Sequence, residues 1–254
     1  MIKINTKSTL FIIASLAILG TSCKDKTAQD AEVLAENTIT KKPIRSVLTA
    51  EEQADMSPDE IIGRLKKGNE NFVANNLTTR DHSEQRRLSI IGQYPQALVL
   101  SCVDSRVPVE DVFDLGIGDV FVARVAGNIE NKDIVGSMEF ASAVAGSKVV
   151  IVMGHSACGA VKHAIDGTDA AAMGMNSLQS LLDEIKPAME NIAGDNRTSK
   201  DSKFLYDVIA KNVYNTVVDV RTQSPTMQRL EKEGKLKIVG AFYDMETGKV
   251  SFLK

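Results

Sequence analysis

Apolar positions along this chain follow three rhythms. Short, nearly continuous apolar runs occur at "QALVLSC" (residues 96–102), "DVFVARV" (119–125) and "KVVIVMG" (148–154). Runs of that length without polar alternation suit strands covered on both faces of a parallel sheet. Between the second and third runs, Ile134, Met138, Ala141 and Ala145 recur at helical spacing and Gly146 follows. Strand, helix and strand therefore alternate, which predicts right-handed crossovers. A second helical pattern starts at Ser57-Pro58, a capping residue and a first-turn proline, and places Ile61, Leu65 and Phe72 near one face. Ser224-Pro225 repeats that start and Gly234 stops it. Two longer amphipathic stretches, "MNSLQSLLDEIKPAMENIA" and "DSKFLYDVIAKNVYNTVVDVRTQ", lie between. The third rhythm is the alternation of "LKIVGAFYDMETGKVSFL", which reverses near Glu246 to Gly248 and predicts a hairpin. The expected fold class is α/β: a mostly parallel sheet flanked by helices, with the C-terminal hairpin joining the sheet.

The N-terminus departs from all three rhythms. Residues 1–22 carry Lys3 and Lys7, then "TLFIIASLAILG", then small residues before Cys23. This reads as a signal peptide rather than a spanning helix, which needs about 20 apolar residues. The segment resembles a lipoprotein signal, with Cys23 as the acylated residue, although Gly20 stands where a large apolar residue is usual. Residues 23–56 are polar and mixed in charge and read as a tether. Residues 57–254 remain for one domain, enough to bury roughly 70% of the unfolded surface. The expected location is the bacterial cell envelope, periplasmic, with a lipid anchor to the membrane. Removing residues 1–22 takes the formal charge from −3 to −5, against the basic surface that nucleic acid requires.

Against that background, "LSCVDSRVPVED" (residues 100–111) is out of place. In an extended chain, Cys102, Asp104 and Arg106 leave the same face, and they do so at the carboxyl end of a strand, where open α/β sheets bind ligands. "GHSACGA" follows the 148–154 run directly and supplies His155 and Cys158. Two cysteines and a histidine form a donor set that Zn2+ accepts, with one tetrahedral position left for water. The start of a helix is expected to lower the Cys158 pKa. Zinc lowers the pKa of bound water, so a zinc-bound hydroxide can attack a carbon such as that of CO2. Two thiolates cancel the ion's charge, which predicts activity rising through mildly alkaline pH.

The combination resembles the β-class carbonic anhydrases, through "CVDSRVPVEDVFDLGIGDVFVARVAGNI", "GSMEFA" and "VVIVMGHSACGAV". The resemblance implies Cys102, His155 and Cys158 as zinc ligands, Asp104 and Arg106 as the catalytic pair, and a homodimer or homotetramer. It also implies a closed state in which Asp104 becomes a fourth ligand. Arg106 would keep Asp104 ionised and away from the metal. The Gly159 amide, at a helix start, is a candidate donor to the oxygens of forming bicarbonate, its rival role being close helix packing. His82 and His163 read as solvated. Val99 stands where some members carry the Trp of a regulatory bicarbonate pocket, so that regulation is not expected. Two other readings use the same residues. One is a hydrolase of carbonyl sulfide or carbon disulfide; the other is a non-enzymatic envelope protein that carries zinc or is stapled by a Cys102–Cys158 disulfide.

Overall fold

A computed structural model describes residues 42–193 and 197–253. The expected signal peptide, Cys23 and the tether as far as residue 41 lie outside the described residues. Among the described residues, no helix is long and apolar enough to cross a membrane.

The folded unit begins at Lys42 rather than at Ser57. Within the stretch read as tether, Ile44 bridges Arg80, and Thr49 and Glu52 form a reciprocal capping box that opens α1 (Ala50–Asp55). Composition hides this segment because its anchor is polar. Gln53 is buried and donates to the carbonyls of Pro95 (2.7 Å) and Ala145 (2.9 Å). The next helix, α2 (Pro58–Val73), starts at the predicted Ser-Pro cap, where Ser57 and Glu60 close a second capping box. After α3 (His82–Leu88) the chain enters β1 (Ala97–Ser101), the short α4 (Val109–Val112) and β2 (Val120–Arg124). Helix α5 (Lys132–Glu139) loosens into a wider π turn over Phe140–Val144 before β3 (Val149–His155). The remainder is α6 (Gly159–Ile165), α7 (Asn176–Ile185), α8 (Ser202–Gln223), α9 (Pro225–Lys232), β4 (Lys237–Tyr243) and β5 (Val250–Phe252).

The five strands are ordered β2-β1-β3-β4-β5, parallel except for the last pair, which is the predicted hairpin. Alternate side chains of β1 and β3 serve two faces. Val99 and Ile151 pack with Ile61 and Leu65 of α2. Leu98, Leu100, Val150 and Val152 pack with Met138 of α5 and with Val213, Val217 and Val220 of α8. Both central strands are therefore buried throughout, as an apolar run requires. The run at 119–125 is different, because β2 is an edge strand and is only half-buried in this chain. A third apolar cluster, under α6, α7 and α8, encloses Cys158.

Candidate metal centre

The centre is built where β1 and β3, paired in register from Ala97↔Val149 to Ser101↔Met153, reach their carboxyl ends together. Cys102 is the first residue beyond β1. His155 is the last of β3, and Cys158 caps α6 after a tight turn in which Ala157 adopts φ +58°. The ligand atoms of Cys102, His155 and Cys158 all lie within 4.8 Å of one another, and all three residues are buried.

Their chemistry fits a divalent ion. Both cysteines are free, and their sulfurs stand 3.9 Å apart, too far for a disulfide. Two Zn–S bonds of about 2.3 Å at a tetrahedral angle hold sulfurs roughly 3.8 Å apart. His155 uses Nδ1–H on the Ser156 carbonyl (2.9 Å), which leaves the Nε2 lone pair facing the sulfurs. Nε2 is buried and has no hydrogen-bond partner among the described residues. A buried, unpaired ring nitrogen beside two thiols is costly without an ion and ordinary with one.

Without an ion, the two thiols share a proton. The hydrogen bond from the Cys158 thiol, supported by His155 and the Gly127 N–H, pulls Cys102 down. The same contact, together with burial, pushes Cys158 up. The expectation that a helix start lowers Cys158 is thus outweighed. The amides of Ala160 and Val161 act in that direction, but the bond to Cys102 is the larger influence.

Asp104 and Arg106 join the centre by a different route from the one expected. The strand ends at Ser101, and residues 103–106 form a bend and turn instead of continuing extended. Asp104 drives that departure, because its Oδ1 accepts the Arg106 backbone N–H (3.0 Å), a local bond that competes with strand structure. The turn brings the guanidinium back onto the carboxylate as a two-pronged pair, Nε to Oδ1 at 2.9 Å and Nη2 to Oδ2 at 2.7 Å. Arg106 thereby holds the Asp104 carboxyl well below the usual carboxylate range. Asp104 Oδ2 stands 4.0 Å from His155 Nε2, the buried ring nitrogen without a hydrogen-bond partner among the described residues.

Two contributors were not read from the sequence. Arg124, the last residue of β2, donates Nε to the Cys102 carbonyl at 2.9 Å and Nη2 to the Asp104 carbonyl, which clamps the turn. Gly127 donates its N–H to Cys102 Sγ at 3.4 Å. The available signal was "ARVAGN", an arginine and then a glycine directly after an apolar run, but both act through backbone groups that a sequence does not display. Gly159 opens α6 beside Cys158, and nothing among the described residues lies within 4 Å of a Cβ built on it, so close packing does not require a glycine there. His82 is exposed on α3, and His163 is exposed with Nδ1 against Thr168 Oγ1.

A protein-family model described as carbonic anhydrase matches residues 97–250. "Carbonic anhydrase 2" of Mycobacterium tuberculosis is 31% identical over 186 residues, covering 73% of this chain and 87% of that protein. Among solved structures, the β-carbonic anhydrase CcaA matches with a TM-score of 0.59 at 23% identity, covering 77% of this chain and 94% of the other. A structure reported with two tetrameric β-carbonic anhydrases from Sordaria macrospora gives 0.55 at 25% identity, over 66% of this chain and 87% of that one.

Proposed function

The chain belongs to the β-class carbonic anhydrases, zinc enzymes that interconvert CO2 and bicarbonate, and from that membership we propose how its own residues divide the work. Cys102, His155 and Cys158 hold the zinc ion. The observation that carries this assignment is the buried, unpartnered His155 Nε2 converging with two free sulfurs. Bound there, zinc supplies a Lewis acid that makes water a nucleophile at mild pH.

Everything else falls to the protein. Asp104 accepts a hydrogen bond from the attacking water and turns its lone pair toward the carbon of CO2. Because Arg106 occupies both carboxylate oxygens, Asp104 stays ionised and stays out of the ligand set. Release of that pair is what the closed state, with Asp104 as fourth ligand, would require. The Gly159 N–H, at an exposed helix start, meets negative charge developing on the product oxygens. Stopped-flow CO2 hydration tests the reading. Zinc-replete wild type should turn over, while His155→Ala should lose both stoichiometric metal and activity. An active His155→Ala protein without metal would overturn it.

Two further elements of the proposal concern the setting. A second copy of the chain covers the half-buried β2 edge, where Phe140 lies exposed against Phe121, to form a homodimer or homotetramer. Sedimentation measurement of mass tests this, and a monomer at micromolar concentration would contradict it. The chain is exported and anchored through a lipid on Cys23, on the strength of the apolar segment that precedes that residue. In cells fed labelled fatty acid, wild type should take up label and Cys23→Ala should not.

A further inference from the structure

Asn212 lies midway along α8, on the face that carries Ile209, Val213 and Thr216 inward, and it is 3% exposed. A buried amide needs a partner. The one it has is neither in the helix nor in the sheet, because Nδ2–H donates to the Gly127 carbonyl at 2.8 Å. Gly127 in turn donates its own N–H to Cys102 Sγ. A chain of two hydrogen bonds therefore runs from the middle of a distant helix to one of the sulfurs.

Two glycines permit it. At Gly154 of β3, a Cβ would stand 2.8 Å from side-chain carbons of both Ile209 and Val213, so α8 approaches the sheet more closely than a larger residue would allow. At Gly127, φ is +71° and a Cβ would meet Ile185 Cδ1 at 2.6 Å, so only glycine holds this left-handed turn against α7.

We infer that Asn212 is a positioning residue for the metal centre: by fixing the Gly127 carbonyl it aims the Gly127 N–H at Cys102 Sγ, and so sets how strongly that sulfur donates to the metal. The inference rests on the reading of Cys102 as a metal ligand. A hydrogen bond to a thiolate draws charge from sulfur, and partners of this kind shift metal affinity by roughly 10- to 100-fold. If Asn212 only docked α8 onto the site, its loss would change stability and leave the metal's electronic environment alone.

The test uses Asn212→Leu, close in size and apolar like its neighbours, with the full chain loaded with cobalt(II). In the variant, the sulfur-to-cobalt charge-transfer bands should move to lower energy, and cobalt affinity should change on the order of tenfold. Bands and affinity identical to wild type, whatever happens to the melting temperature, would overturn the inference. If the variant does not fold, cadmium-113-loaded wild type supplies the reading: the metal should show scalar coupling to the Gly127 amide proton, and its absence overturns the inference equally. A wild-type chain that binds neither ion sinks the metal assignment beneath it, an outcome distinct from a wild type that loads normally beside an unaltered variant.

Discussion

Asp104 and Asp114 are both aspartates clasped by an arginine, and their surroundings are opposite. Asp114 pairs with Arg80 in an interior where the side chains are 2% and 13% exposed. Every direction around it is filled. Oδ1 accepts from Arg80 Nη1 (2.7 Å) and Thr78 N (2.9 Å), and Oδ2 accepts from Thr78 Oγ1 (2.7 Å) and Asn71 Nδ2 (2.8 Å). Arg80 also reaches the Asp114 carbonyl. That pair ties the segment before α3 to the end of α4, and the carboxylate has no bonding capacity left for anything else. Asp104 is held by one residue, Arg106, whose side chain is 58% exposed, and its Oδ2 stands 4.0 Å from the buried His155 Nε2. A saturated pair holds the fold together, whereas a pair left open on one side can meet a substrate.

The sharpest way to break the comparison is to delete each arginine or carboxylate and ask which property fails. Arg106→Ala should lower CO2 hydration by about 100-fold or more while leaving bound zinc and the urea midpoint close to wild type. Stopped-flow rates, metal analysis and an unfolding curve on one preparation decide it, and near-normal turnover would refute the role given to the pair.

Asp114→Asn should do the reverse. Breaking a buried, hydrogen-bonded ion pair typically costs about 3–5 kcal/mol of unfolding free energy, and the activity per folded molecule should be preserved.

The pH dependence sharpens the same contrast. Burial alone would raise the Asp114 carboxyl, but the donors Arg80, Asn71 and Thr78 together outweigh it and hold the group below its ordinary value. A carboxyl lowered by folding stabilises the native state fully above its unfolded pKa, about 3.9. That contribution is lost as pH falls through the lower native value. The stability gap between wild type and Asp114→Asn should therefore be constant near neutrality and close only below about pH 4. A gap that closed on the alkaline side would contradict the assignment.

The smallest effect is expected at Arg124. Arg124→Lys keeps the charge but loses the fork that spans the Cys102 and Asp104 carbonyls, so turnover should fall by roughly fivefold, the worth of about one hydrogen bond.

Legibility divided along physical lines. The buried strands β1 and β3, the Ser-Pro helix starts and the C-terminal hairpin were readable because each is encoded by neighbouring residues with a definite period or cap. Cys102, His155 and Cys158 were readable because few other combinations bring thiols and imidazole to two strand ends. Asp104 and Arg106 pair through a side-chain turn in place of the extended strand expected of them. What stayed hidden was long-range or carried by backbone. Arg80 and Asp114 gave no local pattern, Arg124 acts on carbonyls, and Asn212 reads as an ordinary polar position in a long helix. The 42–56 segment looked like linker because its anchor is Gln53 rather than an apolar residue.

The pairing of Ser101 with Met153 has a consequence for how such a protein can change over time. Because the donors branch from two adjacent strands, their spacing is fixed by the ladder between those strands and not by the chain that joins them. A slip of one residue would carry one half of the set about 3.3 Å along the sheet and turn its side chains to the opposite face. By contrast, residues can be gained or lost in the exposed turn at 117–118, which also lies between the two halves of the set, without moving a single donor atom. Natural variants of this chain should accordingly differ in length at that turn, and hardly at all within the strands themselves.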